Sequence, residues 1–361
     1  PGPSSGGGSA ETVSGSAGRL LVAELGGLFT RLLHSAVHRQ GKELRNDTLA
    51  ALQHLLAFQP CAAAAHALGL LGSLLAAAAS PEAPHLVVVD GLEAAQAADA
   101  GLGPQALGRD VLDVELKLML WSAVASAAEA DHGCLDVVTA AADRAWPPAS
   151  SSSSSSNASS IVGGGGGGGF LSLLLLHAEP GPAQPPVAEH VAQLAPEHRA
   201  MLRRAAWSAL LRVAPLTKER VLSGACGGAA ALYRCLEANA CAGAAALAEA
   251  QQQPFGRLAS GGGTGRSSGW HECTEAPMRL ITRLCTGSGA ADAARALAKR
   301  GIVTPLLRVR AAGGGSGRAP EGVRQAVLLA LSAVCEAGGE QCLKLLRGSK
   351  GVAALVEELN W

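Results

Sequence analysis

Apolar residues recur at intervals of three and four along most of the chain, which is the spacing of one face of an α-helix. The first such stripe consists of Leu21, Leu25, Leu28 and Leu32, and it predicts a helix from Leu20 onward. Strict alternation of apolar and polar residues never continues beyond a few positions, so strands are not expected. The pattern therefore predicts an all-α chain.

Capping residues and prolines indicate where individual helices begin and end. Asn46-Asp47 is a suitable N-cap pair for the second helix, which Pro60 ends. A further helix is predicted from Ala62 to Ala79, because this run is apolar and is followed by Ser80-Pro81. The run His85–Val89 fits a short strand or the approach to another helix, and the helical alternative is favoured.

Three stretches of the sequence are nearly the same, and each lies inside an apolar helical run. They are Leu-Trp-Ser-Ala-Val at 120–124, Ala-Trp-Ser-Ala-Leu at 206–210 and Ala-Leu-Ser-Ala-Val at 330–334. Two later units, marked by Met278 and Arg324, are about 46 residues apart, which falls in the armadillo and HEAT range. Because one such unit cannot bury its apolar face alone, the repeats predict a stacked armadillo/HEAT-like helical solenoid, a class that usually binds rather than catalyses.

Low-complexity sequence separates the helical repeats. Seven serines, Ser150–Ser156, and seven glycines, Gly163–Gly169, cannot bury enough apolar surface to offset their ordering entropy, so long disordered Gly/Ser insertions are expected. The apolar stretch Phe170–His177, which follows the glycines, can dock locally, but we expect the segment Pro147–Pro196 to be dispensable for folding. The expected divisions are a disordered lead-in (1–18), armadillo-like repeats (19–146), a low-complexity insertion (147–196), an armadillo-like repeat (197–250), a flexible loop (251–274) and further armadillo-like repeats (275–361).

Composition narrows the classes of function. Only 3% of the 361 residues are aromatic, so there is little material for stacking on nucleic-acid bases. Lys+Arg and Asp+Glu both number 29, and such a balanced chain is not expected to bind nucleic acid through its phosphates. The nine cysteines lie in apolar helical contexts, which favours a reducing compartment. The uncharged run Cys61–Ala79 is mostly Ala and Gly, so a buried helix is favoured over a membrane span.

Motifs that carry chemistry are missing or incomplete in this sequence. His34 and His38 have a spacing that can hold zinc, but no matching ligand pair follows, so solvated or capping histidines are favoured. Cys226, Cys235 and Cys241 lack a Cys-x-x-Cys pair, and neither glycine-rich tract continues into the Gly-Lys-Ser/Thr of a P-loop. We therefore expect no catalytic residue, no metal and no cofactor, and predict that the chain is not an enzyme.

One positively charged stretch is a candidate partner-binding site. Arg295, Lys299, Arg300, Arg308 and Arg310 concentrate around the second helix of a repeat and are suited to an acidic partner, such as a tubulin tail or an acidic peptide. The alternative is a solvated face whose cations are placed near helix C-termini by the macrodipole. That alternative is the favoured one.

The units resemble armadillo repeats, and an ordered set of segments resembles one family more closely. These segments are Lys42–Asp47, Asp113–Lys117, Ala209–Leu216 and Leu329–Glu336, the last leading to Gly351-Val352. They are similar to the family of cilia- and flagella-associated protein sixty-nine and follow its order from about Arg31 to Leu359, with loops excluded. The resemblance implies an all-helical structural scaffold in a projection of the axonemal central apparatus of motile cilia and flagella.

The resemblance also implies a place in a hetero-oligomeric complex of the cytoskeleton. The partners would be other central-apparatus proteins and, indirectly, tubulin, with no nucleic acid and no membrane. The chain departs from the family in its poly-Ser and poly-Gly insertions, Ala-rich helices and excess of Arg over Lys, all of which a GC-rich genome produces without functional cause. We expect the array to begin and end within a unit, so that helices at Leu20 and Leu355 present apolar faces that further repeats or partners cover.

A second class of function stays open, namely a soluble armadillo adaptor or transport receptor that binds extended peptides reversibly. Such receptors usually line their groove with a ladder of Trp and Asn. Trp121-Ser122 and Trp207-Ser208 supply the Trp without a following Asn, and the small residues around them indicate buried packing. Trp207 is accordingly predicted to be a core residue beside Leu210 and Leu211, which favours the scaffold.

Overall fold

A computed structural model describes residues 9–35, 39–79, 114–142, 170–180, 196–222, 228–252, 268–313 and 321–348. Regular structure in these ranges is helical throughout, and none of them contains a strand. The prediction of an all-α chain is confirmed for this part of the sequence, whereas the arrangement of the helices into a solenoid stays a prediction. The chain divides into two compact units, each of which is described by itself.

The first compact unit contains the described helices up to residue 141. They are α1 (Ser9–Ser35), α2 (Arg39–Leu56), α3 (Gln59–Ala67), α4 (Leu70–Ala79), α5 (Val114–Ala130) and α6 (His132–Ala142). α1 packs on α2 and α3, and α5 packs on α2, α3 and α4. The core between them is built from fully buried side chains such as Leu52, Leu74, Leu120 and Trp121.

α1 approaches its neighbours closely because two of its inward positions have no side chain. A Cβ at Gly18 would lie 3.0 Å from Cys61 Sγ on α3, and one at Gly26 would lie 2.7 Å from Leu70 Cδ2 on α4. Val22 lies between these glycines, one turn from each, and is fully buried. The inward face of α1 therefore combines small residues with a large buried one, which brings its backbone close to α3 and α4.

The apolar run from Cys61 to Ala79 forms two helices rather than the single helix expected. α3 and α4 meet at an angle of 88°, and the chain turns between them at Leu68-Gly69, where Gly69 has a φ of +70°. A glycine adopts this left-handed conformation without steric cost, so one residue is enough to interrupt a continuous apolar pattern. The prediction of one helix from Ala62 to Ala79 is wrong for this reason.

Two helices begin earlier than the sequence pattern predicts. α1 begins at Ser9, so the expected disordered lead-in over 1–18 is wrong for residues 9–18, and residues 1–8 lie outside the described part. Adding residues to an existing helix costs little once the helix is nucleated, which explains the extension.

α2 begins at Arg39, so Asn46-Asp47 lies inside it and is not an N-cap. Asn46 Oδ1 instead accepts hydrogen bonds from Arg45 Nε and Nη2, at 3.2 and 3.0 Å.

The second compact unit includes α7 and the chain from Leu202 onward. Its helices are α7 (Phe170–Ala178), α8 (Pro196–Val213, of which the part from Leu202 belongs here), α9 (Lys218–Leu222), α10 (Gly228–Gln252), α11 (Ser268–Leu284), α12 (Ala290–Lys299), α13 (Val303–Gly313) and α14 (Glu321–Gly348). α10 packs on α7, α9, α11 and α13, and α14 packs on α11, α12 and α13. These two helices thus organise the core of the unit.

α7 is a packed core element although it lies between the Ser and Gly tracts and the next repeat. Phe170, Leu171, Leu174 and Ala178 are almost completely buried, and the helix packs on α10. The expectation that all of Pro147–Pro196 is dispensable is therefore wrong for Phe170–Ala178, because removing α7 would expose this apolar face and its partner surface.

The expected flexible loop over 251–274 is also shorter than predicted. α10 continues to Gln252 and α11 begins at Ser268, leaving only 253–267 outside the described residues. Pro277 lies inside α11, directly before Met278, which marks one of the predicted units. A proline removes only one backbone donor, and here the helix continues on both sides of it.

In the described residues, two segments have the length and composition of a membrane-spanning helix. One is α14, of which 44% of the apolar window is buried, and the other is α3 with α4 if their bent pair is taken as one span. α14 is kinked at Gly339, where φ is 60° and ψ is −150°, and it packs on three helices of its unit. Core helices pass the same test, so this finding is weak evidence for a membrane.

Several expectations fall on residues outside the described part of the chain. They concern His85–Val89, His38, Cys226 and the predicted helix at Gly351 with Leu355. His34 lies in α1, but its side chain is not described. These expectations stay predictions.

We expect Leu174→Ala in α7 to lower the free energy of unfolding by about 2 to 5 kcal/mol, as deletion of a fully buried leucine does. Leu176→Ala is the matched control on the same helix, because Leu176 is only half-buried and should cost clearly less. Chemical denaturation of the full chain measures both. Equal, small effects of the two substitutions would restore the view that α7 is dispensable.

Candidate functional site

The C-terminal end of α4 is capped by two buried side chains of α5. Lys117 Nζ donates to the carbonyl oxygens of Ala77 and Ala78, at 2.9 and 3.1 Å, and Trp121 Nε1 donates to Ala78 O at 3.0 Å. Lys117 is only 3% exposed and Trp121 only 1%. The last carbonyls of a helix have no partner within the helix, so these donors satisfy groups that would otherwise be buried without hydrogen bonds.

Burial lowers the pKa of Lys117 from its ordinary value of 10.5 to about 7. The ammonium lies at a helix C-terminus, where a positive charge is favoured, but the loss of solvation outweighs this effect. A substantial share of Lys117 is therefore neutral at physiological pH, and a neutral amine still donates hydrogen bonds.

The C-terminal end of α7 is capped in a similar way by α10. Asn239 is fully buried, and its Nδ2 donates to Ala178 O at 3.0 Å and to Cys235 O at 2.8 Å. Asn239 Oδ1 is buried without a hydrogen-bond partner in the structure. Each compact unit thus contains a short apolar helix whose end is closed by a polar side chain from the helix packed against it.

Two further cations bind backbone carbonyls at helix ends in the second unit. Arg283 Nη1 on α11 donates to Leu211 O near the end of α8, at 2.6 Å. Lys218 Nζ on α9 donates to Thr286 O and to Ser288 O, the latter at 3.1 Å, in the turn that follows α11. These side chains connect successive helices and complement the negative ends of helix dipoles.

The five predicted partner-binding cations lie on α12, on α13 and at the turn between them, but not on one face. Arg295 pairs with Asp292 on its own helix, with 2.7 Å between Nη2 and Oδ1. Lys299 and Arg300 are exposed at the end of α12, and Arg308 is exposed on α13. Arg310 is half-buried and, two residues after Arg308, is rotated by about 200° around the helix. The partner-binding role of the five stays a prediction.

A histidine, a carboxylate and a cysteine meet between α3 and α6, which the sequence analysis did not anticipate. Asp131 Oδ2 accepts the backbone N–H of Cys134 at 3.0 Å and thereby caps α6. A Cβ at Gly133 would lie 3.3 Å from His66 Nε2. The Cys134 thiol donates to Ala62 O at 3.3 Å. The signal that could have revealed the cap is the spacing of Asp131 and Cys134 at a helix start.

This cluster is structural rather than reactive. Burial, followed by the charge and hydrogen bond of Asp131, raises the pKa of the Cys134 thiol to about 12. A thiol with such a pKa is protonated at neutral pH and is a poor nucleophile and metal ligand. Within the described ranges, no group of three His, Cys, Asp or Glu side chains has a geometry that could hold a metal ion.

An open groove of about 250 Å³ lies between α1 and the α3–α4 turn. Its lining includes Ala23, Gly27, Leu68 and Ser73. Leu20, one turn before Ala23, is 66% exposed. Leu20 is thus exposed, as expected, and its covering by further repeats or partners stays a prediction.

The two repeated tryptophans are buried and differ in their hydrogen bonding. Trp207 is 2% exposed, so its predicted place in the core is confirmed. Trp207 Nε1 is buried and has no hydrogen-bond partner in the structure, whereas Trp121 Nε1 donates to Ala78 O. Arg203 and Trp207 have the same spacing in the sequence as Lys117 and Trp121. Lys117 and Trp121 cap α4, whereas α7 is capped by Asn239 and not by the second pair.

Comparison with known proteins adds no relative. No family model matches the chain, and no curated protein matches it.

We expect Trp121→Phe to cost about 1 kcal/mol more in unfolding free energy than Trp207→Phe. Both tryptophans are buried and lose similar apolar area, but only Trp121 donates a hydrogen bond that the phenylalanine cannot replace. Each substitution serves as the control for the other, with chemical denaturation as the measurement. A larger loss at Trp207 would contradict the assignment of Trp121 as a helix cap.

We also expect Lys117→Met to change the pH dependence of stability. Between about 7 and 10.5 the unfolded chain binds a proton at Lys117 that the folded chain has lost, so this group makes the wild type more stable as pH rises. Lowering the pH from about 8.5 to about 6 should therefore reduce the melting temperature of the wild type relative to Lys117→Met.

The measurement is best made below pH 9.0, because buried thiols act in the opposite direction above it. Burial raises the pKa of Cys134 and of Cys285 from 9.0 to about 12, so deprotonation of these thiols favours the unfolded chain at alkaline pH. If the melting temperatures of the wild type and of Lys117→Met change with pH in parallel below pH 9.0, Lys117 does not titrate in that range.

Proposed function

We propose that the chain is a helical scaffold, arranged as an armadillo/HEAT-like solenoid, in a projection of the axonemal central apparatus of motile cilia and flagella. It would act by holding neighbouring subunits of a hetero-oligomeric complex in place and so support ciliary beating. The observation that carries the proposal is the ordered set of segments that resemble the family of cilia- and flagella-associated protein sixty-nine.

The contacts of those segments support a structural role for them. Lys42 on α2 and Glu115 on α5 belong to different segments, and their charged atoms lie 3.6 Å apart. Lys117 ends the second segment and caps α4. Leu211 in the third segment provides the carbonyl that Arg283 binds. Three of the four segments that carry the resemblance are thus places where one helix is joined to another, as a scaffold requires.

Exposed apolar surface supports a role in binding other proteins. Leu20 and Leu21 on α1 are more than half exposed, as is Leu329 on α14. Exposed apolar residues grouped beside a groove, as at α1, are typical of interaction surfaces. Stacked repeats or partner subunits would cover such faces in an assembled complex.

The alternative is a soluble armadillo adaptor or transport receptor that binds extended peptides. In such a receptor tryptophan side chains would contact the peptide from an open groove. Trp121 and Trp207 are buried in their own units and cannot do so without rearrangement. This observation favours the scaffold.

The proposal predicts that a tagged full-length chain fractionates with salt-washed axonemes. It should leave them together with other central-apparatus proteins, because a permanent subunit is held by many contacts. Its loss should impair beating and leave the outer doublet microtubules in place. Electron microscopy of axonemes and high-speed recording of beating provide the measurements.

A double substitution on the exposed face of α1, Leu20→Glu with Ala23→Glu, tests whether that face holds the chain in the complex. Gln325→Glu with Gln341→Glu is the matched control, because it adds the same charge at two exposed polar positions of α14. Recovery of the wild-type chain mainly from the soluble cytoplasmic or nuclear pool, in rapid exchange with peptides, would replace the scaffold by the adaptor.

A further inference from the structure

Positive charge is concentrated in one stretch of a chain that is neutral overall. The formal net charge of the whole sequence is zero. Residues 290–313, which form α12, a turn and α13, contain five Lys or Arg residues, and Asp292 is their only carboxylate. Asp292 is paired with Arg295 on the same helix. The remaining cations of this stretch therefore produce a local positive potential.

Lys299 and Arg300 are not needed to cap the helix that they end. The backbone N–H groups of Arg300 and Ile302 donate to Leu297 O, both at 3.2 Å, and that of Gly301 donates to Ala298 O at 2.9 Å. Gly301 has a φ of +86°, the conformation that allows this closure. The end of α12 is thus closed by its own backbone, whereas the ends of α4 and α8 use Lys117 and Arg283.

The two cations also have no acidic partner of their own. Both are exposed, and in the described part of the chain no carboxylate forms an ion pair with either of them. Unpaired, exposed charges beside each other repel, and a bound anion relieves this repulsion. The macrodipole accounts for their position at a helix end but leaves their hydrogen-bond donors available.

Arg308 and the end of α12 both lie near Tyr233 on α10. Its hydroxyl oxygen lies 3.8 Å from where a Cβ at Gly301 would be. Burial, then the charge and hydrogen bond of Glu237, raise the pKa of Tyr233, and the nearby Arg308 charge lowers it. Arg308 and Gly301, the residue that follows Arg300, therefore both lie close to Tyr233.

We propose that the surface formed by Lys299, Arg300 and Arg308 around Tyr233 binds an acidic, Asp/Glu-rich segment of a partner protein. Charge complementarity favours this occupant, since several carboxylates on one segment can meet three cations that form no ion pair with a carboxylate in the described part of the chain. The inference rests on the proposed scaffold function and assigns one of its contacts. Arg295, paired with Asp292, and the half-buried Arg310 do not belong to this surface.

The test measures binding of a short fluorescein-labelled poly-Glu peptide to the full-length chain by fluorescence anisotropy. We expect binding that weakens with rising ionic strength, because exposed charges are screened. The triple variant Lys299→Gln, Arg300→Gln, Arg308→Gln should bind about tenfold more weakly, as expected for the loss of three exposed charge contacts.

The matched control is Arg279→Gln, Lys344→Gln, Arg347→Gln, which removes the same charge from exposed cations elsewhere in this unit. It should bind poly-Glu almost as the wild type does. Equal affinity of wild type and the first triple variant would overturn the proposal, as would binding of a single-stranded RNA homopolymer by a wild-type chain that does not bind poly-Glu. Neither result bears on fractionation with axonemes, so failure here is distinct from failure of the scaffold proposal.

A second measurement does not depend on a variant that folds. Tyr233 is the single tyrosine of the chain, so its ionisation can be followed by absorbance without interference from another tyrosine. Saturating poly-Glu should raise the pKa of Tyr233 further, because added negative charge disfavours the phenolate. A bound peptide that leaves this titration unchanged would place the binding elsewhere and overturn the proposal.

Discussion

The structure depends on how the ends of its helices are satisfied. A chain of many short helices has many C-terminal carbonyls, and each buried one needs a donor from outside its own helix. Lys117 and Trp121 serve α4, Asn239 serves α7 and Arg283 serves α8, each from a helix of the same unit. These few polar contacts favour one arrangement of neighbouring helices, while most of the buried apolar side chains in the described residues are alanine or leucine.

The same constraint explains how the polar side chains divide between structure and binding. Where a helix ends in a glycine turn that closes on its own backbone, as α12 does at Gly301, the neighbouring cations remain available to solvent. Where it ends against another helix, as α4 does, the cation is buried and its pKa is lowered. Burial of such a group favours one arrangement of helices over others more than it adds stability, because desolvation offsets much of the gain.

The sequence predicts the helices and their apolar faces well, since spacings of three and four extend over long stretches. It does not predict the break at Gly69, because the spacing of apolar residues does not reveal a single residue with left-handed backbone conformation inside an apolar run. The sequence does not identify α7 as a core element for a different reason: this short, mostly apolar stretch, which follows a glycine tract, has no periodicity of its own. Lys117 looks like a surface residue, and only its position one turn before Trp121 hints that both reach the same helix end.

The caps also impose an order on the synthesis of the protein. The donor follows its acceptor in the chain by 40 residues for Lys117 and Ala77, by 61 for Asn239 and Ala178, and by 72 for Arg283 and Leu211. A ribosome therefore releases α4, α7 and α8 well before the side chains that close them. During that interval the last carbonyls of α4 and α7, which are buried in the folded chain, must be hydrated, so these two helices cannot adopt their final buried positions until the later segment emerges. Folding of each unit is consequently delayed until its capping helix has been translated.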